Sequence, residues 1–216
     1  HYARIFGVFS RSLLGDAKGE RELVSKLSEQ ARDRDNVLSR AILVMGYGHM
    51  KLLADDAEGS LRETELALER WPRRQFGYVH LNNLCARMLA WLYLGEGAKA
   101  ASEVEKAWPT ARRSLLVFMP FGRALLNVVR GMAAVGGAKA LPEHLETARS
   151  SSHIIRSSGV AGFYGFADMI EAGTACVAGE RVLAAKALER AIALFERHEM
   201  SEWATASRGQ LARLRG

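Results

Sequence analysis

The chain has 216 residues, 49% of them hydrophobic and 25% charged, a balance that excludes a disordered or fibrous polypeptide. A formal charge of +6 permits an acidic partner without requiring one. Two cysteines cannot build a disulfide scaffold, and the most apolar stretch, 115–135, is broken by Arg123, Asn127 and Arg130, so no membrane-spanning helix is expected.

Cys85 and Cys176 lie in apolar, helix-forming surroundings and are expected to be buried as small hydrophobes. With no oxidised framework, a cytoplasmic location is the expectation. The start, His1-Tyr2-Ala3-Arg4-Ile5-Phe6, lacks the apolar core of a signal peptide and an initiator methionine. The chain is therefore expected to be part of a longer polypeptide. Arginine outnumbers lysine 23 to 7, as an Arg/Ala-rich coding bias would produce.

Four prolines leave long stretches free to be helical. Tyr2, Ile5, Phe6, Phe9 and Leu13 line one face of a first helix, and Leu23, Val24, Leu27 and Ala31 line a second. Asp35 or Asn36 can cap a third over 37–54. Helices follow over 60–71, stopped by Pro72, and over 76–94, stopped by Gly95. The next, 98–113, is kinked or shortened by Pro109. Further helices are expected over 115–135, 138–157, 160–178 and 181–198. A last one over 201–215 presents Trp203, Leu211 and Leu214 to its neighbours and reads as a cap over an apolar end.

Turn segments recur at Gly15-Asp16, Asp55-Asp56, Gly95-Glu96, Gly136-Gly137 and Gly179-Glu180, spaced by 40, 40, 41 and 43 positions. Twelve residues after each comes Leu27, Ala67, Ala107, Ala148 or Ala191, and nine after comes Val24, Thr64, Val104, Leu145 or Leu188. A period of this length, with turn, small and aliphatic positions in register, predicts stacked helical hairpins. The expected fold is all-α: a right-handed superhelical array of about five antiparallel hairpins plus a capping helix, spanning 1–216 as one domain.

The spacing resembles tetratricopeptide repeats, where a Gly-Asp/Glu turn is followed by a small residue five positions on and another twelve on. Ser60, Ala100 and Ala184 match at the fifth position, while Glu20 and Leu141 depart; Trp91 alone supplies the aromatic that precedes the turn. The repeat is also longer than the usual 34 residues of that family. The chain looks like the divergent, long-helix version found in large bacterial signalling proteins, among them the carboxy-terminal arrays of serine/threonine kinases and of regulators with an ATPase module. The resemblance implies a protein-binding role, with any kinase or ATPase domain lying outside this chain.

Chemistry-bearing motifs are not legible. The glycine-rich 131–139 has a lysine but no Gly-Lys-Ser/Thr, and Gly159, Gly162 and Gly165 lack a dinucleotide fingerprint. His49, His80, His144, His153 and His198 have no metal-ligand spacing with one another or with cysteine. No catalytic residue, metal or cofactor is expected.

Polar residues on the first helix of each hairpin are the candidates for binding. Arg123, Asn127 and Arg130 fall at i, i+4 and i+7 on an otherwise apolar helix, and polar groups in such company need a partner. Tyr78, Asn82 and Arg87, and His49 before them, extend the set. The family's peptide-binding grooves imply that Asn would clamp a peptide backbone and Arg a carboxylate. The competing reading is that these side chains pair with carboxylates of neighbouring helices. A peptide or acidic effector, or another domain of the same polypeptide, is the expected partner, and no membrane is. The alternative is a nucleic-acid-binding repeat, for which Arg73-Arg74 and Arg112-Arg113 are the basic pairs, though without an aromatic ladder.

Overall fold

A single left-handed residue closes most of the recurring turns: Gly15 at φ 77°, Asp55 at 59°, Gly95 at 76° and Gly179 at 78°. Glycine takes that conformation without a Cβ penalty. The residue after it reaches back across the turn, with Asp16 N–H to Arg11 O at 3.0 Å, Asp56 to Lys51 at 2.8 Å and Glu180 to Ala175 at 2.8 Å. This six-to-one bond satisfies carbonyls that a helix end would leave orphaned. Asp16 and Asp56 then start the next helix, their Oδ1 atoms accepting from the Gly19 and Gly59 N–H at 2.9 and 2.8 Å.

The computed structural model describes residues 2–33, 36–69, 71 and 75–216. It is all-helical among them, in two compact units, His1–Gly95 and Glu96–Gly216. The first unit holds α1 (Tyr2–Leu14), α2 (Ala17–Asp33), α3 (Val37–Ile42), α4 (Val44–Leu53), α5 (Ala57–Glu69) and α6 (Tyr78–Tyr93). Helix α1 packs on α2, α4 on α5 and α6, and α5 on α6. Val8, Val24, Leu27 and Leu43 form its apolar centre, with Leu23, Ile42, Tyr47 and Met50 against them.

The second unit holds α7 (Gly97–Ala111), α8 (Pro120–Gly137), α9 (His144–Ser157), α10 (Tyr164–Val177), α11 (Arg181–Arg197) and α12 (Ser201–Arg215). Short 3-10 turns, Leu115–Phe118 and Ala161–Phe163, precede α8 and α10. Each helix packs mainly on the next in sequence, and α8 also touches α10. Ala172, Ala187, Leu188 and Leu211 make an apolar cluster joined by Leu214. Phe166 stands edge-on to Phe195 and Trp203, centroids 5.1 and 4.7 Å apart, which ties α12 to α10 beside α11.

Small residues in register are buried for packing. Ser60, Ala100 and Ala184 are wholly inaccessible, and Glu20 is too despite its charge. Several expected boundaries need correction. The 37–54 helix divides at Leu43, where ψ relaxes to −10°, and Asn36 caps the first part by accepting from Ser39 N–H at 3.0 Å. Asp35, Pro72, Arg73 and Arg74 lie outside the described residues. Helix 115–135 begins only at Pro120, whose fixed φ suits a first helical position. The fourth turn is not Gly136-Gly137, which ends α8, but the segment 138–143, because Pro142 cannot join a helix begun at 138. Cys176 is exposed, unlike Cys85.

Candidate binding site

On α8 the predicted stripe has three different fates. Arg130 is held by Glu105 of α7, with Nε 2.7 Å from Oε1 and Nη2 3.0 Å from Oε2, and its guanidinium lies 4.1 Å from the centroid of the Trp108 ring. A planar fork matched to a carboxylate and laid on an aromatic face is a complete arrangement in itself. Arg123 sits in the first turn of α8 and reaches the Ser157 carbonyl at 3.4 Å, at the negative end of α9. Asn127 is 3% exposed and folds its amide nitrogen back onto the Arg123 carbonyl at 2.8 Å.

Those bonds leave two groups over. The Arg123 Nε and the Asn127 Oδ1 are buried and have no hydrogen-bond partner among the described residues. One is a donor and the other an acceptor, on side chains one helical turn apart and on the same face. Buried groups of this kind are ordinarily satisfied, and each left unmade costs about 1–3 kcal/mol.

In the first unit, Tyr78 opens α6 and borders a cleft of about 330 Å³ with Leu38, Ile42, Trp71, Val79 and His80. Burial pushes its phenol up to about 12. Asn82, 4% exposed, has an amide oxygen with no partner among the described residues. Its neighbour Asn83 is satisfied, donating to the Thr64 carbonyl at 2.5 Å. Arg87 stacks on Trp91, one turn along its own helix, at 4.7 Å.

His49 is a tether between helices. Its Nδ1 lies 2.7 Å from Glu20 Oε2 and 3.1 Å from Ser12 Oγ. A Ser-His-acid relay places hydroxyl and carboxylate on opposite ring nitrogens, whereas here both approach the same one. The trio latches α4 to α1 and α2.

A larger trough of about 630 Å³ opens between α7 and α9, lined by Ser102, Glu105, Lys106, Glu143 and His144. It meets the stripe only through Glu105. Among the described residues no group of three His, Cys, Asp or Glu could hold a metal, and no helix is long and apolar enough to cross a membrane.

Sequence reasoning missed one cluster. Asp168, 1% exposed inside α10, accepts from Arg156 Nη2 at 2.8 Å and Arg190 Nε at 2.7 Å. Glu171 completes it, meeting the same two arginines at 3.0 and 2.8 Å. An aspartate in the apolar run Phe166–Ile170 was the available signal. No family model, curated protein or solved structure matches the chain.

Proposed function

We propose that the chain is a non-catalytic, tetratricopeptide-like interaction module that takes an extended peptide or acidic segment against its first-of-pair helices. The observation that carries this reading is the orphaned donor and acceptor of Arg123 and Asn127 on α8. A peptide group offers the complementary pair, a carbonyl for Arg123 and an N–H for Asn127. Both atoms lie under cover in the empty protein, so entry requires the Arg123 side chain to swing away. Its single long bond to the Ser157 carbonyl is a weak restraint. The hairpin turns in register and the helix-on-next-helix packing of the second unit support a solenoid arrangement.

The test is binding to an array of synthetic peptides, including acidic ones, by the unaltered chain and by Arg123→Ala and Asn127→Ala. Each variant is expected to keep its helical circular dichroism and to lose about tenfold in affinity, equivalent to roughly 1.4 kcal/mol. Peptides bound equally by all three proteins would move the site away from α8.

A further inference from the structure

The first unusual feature outside that site is a rigid apolar tip on the second unit. Between Glu105 and Glu143 the chain has no acidic residue, yet it carries Lys106, Arg112, Arg113, Arg123, Arg130 and Lys139. In the middle of this run, where α7 hands over to α8, Leu115 and Phe118 are 79% and 80% exposed and Met119 is 52% exposed. Arg112 and Arg113 beside them are exposed and form no ion pair among the described residues. Aliphatic and aromatic side chains held this far into water are not explained by scatter of single surface hydrophobes, since they adjoin one another.

The tip is pinned, not loose. Leu116, 7% exposed, anchors it inward, and Met119 N–H returns to the Leu116 carbonyl at 3.2 Å. Gly122 lets α8 pass against it, since a Cβ there would stand 2.6 Å from the Leu116 oxygen. Ser114 closes the other side, donating from N–H at 3.0 Å and from Oγ at 2.6 Å to the Ala111 carbonyl. The adjacent loop 157–163, joined to α8 by the Phe121–Phe163 edge contact at 5.3 Å, brings no carboxylate either.

We propose that this tip is a peripheral docking surface for anionic lipid. A protruding knob needs a receptor that accepts apolar side chains without a matching pocket, and the headgroup–acyl boundary of a bilayer does so. Arg112 and Arg113, without an ion pair among the described residues, flank the apolar side chains where they would meet anionic headgroups, and the lack of acidic residues in 106–142 and 157–163 lowers the repulsion that would oppose approach. Pre-ordering of the knob lowers the entropy lost on insertion. Lying on a membrane does not need the long apolar helix that spanning one needs, and the proposal replaces the expectation that no membrane is a partner.

The experiment is co-sedimentation of the full chain with vesicles of phosphatidylglycerol and phosphatidylcholine, and with phosphatidylcholine alone. The unaltered chain is expected to bind the mixed vesicles and not the neutral ones, and binding should weaken with salt. The triple variant Leu115→Ser/Phe118→Ser/Met119→Ser should lose at least about tenfold in partitioning. Arg112→Ser/Arg113→Ser should lose several-fold and flatten the salt dependence. Because all five side chains are exposed, both variants should melt with the unaltered chain, and a shared melting curve is the control. Three results overturn the proposal: no binding to anionic vesicles, binding that survives both variants, or a tip that instead drives self-association lost in the triple variant on gel filtration.

Discussion

The Arg130 guanidinium sits over the Trp108 ring, 4.1 Å from its centroid, and the same group grips Glu105 through two nitrogens. The arginine is thus part of the α7–α8 packing, while Arg123, seven residues earlier on the same helix, retains an unpartnered nitrogen. Two arginines of one stripe have different work. Arg130→Ala should cost about 1–3 kcal/mol of unfolding free energy, and Arg130→Lys part of that, because an ammonium cannot make both bonds and stack as well. Denaturant titration of both, with a double-mutant cycle against Trp108→Leu, measures it. A cycle coupling of zero would mean that the ring contributes only bulk.

Asp168 should be the most sensitive carboxylate of the second unit. It is 1% exposed, but Arg156 and Arg190 are 38% and 51% exposed and also hold Glu171. Removing it leaves both cations solvated and still paired, so Asp168→Ala should cost about 1–3 kcal/mol, short of the penalty for a stranded buried charge. Arg156→Ala and Arg190→Ala should each cost less, since the other arginine remains. Thermal melts give the ordering, and an Asp168→Ala variant as stable as the parent would show that the network is not stabilising.

What was readable from the chain was whatever local spacing controls. The turns at Gly15, Asp55, Gly95 and Gly179 are visible because left-handed backbone selects few residue types, and the expected bounds of α12 match those observed. The fourth turn is hidden because Gly136-Gly137 mimics the others, whereas Pro142 sets the start of α9. The polar stripe on α8 was legible, but the destination of Arg130 was not. Glu105 and Trp108 sit on another helix, and no local pattern announces a partner at that separation. Asp168 is the same case: its two arginines come from α9 and α11.

The thiols should separate cleanly. Cys176 is exposed, and Cys85 is buried with its thiol pushed up to about 12 from 9.0 by desolvation. A thiol reagent should therefore modify one cysteine in the native protein and two in denaturant. The folded state holds the Cys85 proton that the unfolded state releases, so this contribution to stability is intact below pH 9.0 and declines as pH rises from there towards about 12. Tyr78, raised from 10.0 to about 12 by burial, acts in the same direction above pH 10.0. Cys85→Ala should lose stability less steeply than the parent above pH 9.0, and identical alkaline profiles would remove Cys85 as a contributor.

Glu180 marks a turn that is not fully used. Asp16 and Asp56 cap the helices that follow them through the N–H three residues on, at 2.9 and 2.8 Å. Glu180 occupies the same place before α11, after a left-handed residue as in the other two turns, but makes no side-chain cap bond. Its extra methylene carries the carboxylate past the N–H groups that a shorter aspartate reaches. Glu180→Asp keeps the charge and its interaction with the helix dipole, so the capping bond is the main difference. The variant should be more stable by about 0.5–1 kcal/mol, read as a rise in melting temperature, with Glu180→Asn giving a similar gain. No gain with either variant would mean that the turn before α11 does not admit the capping bond.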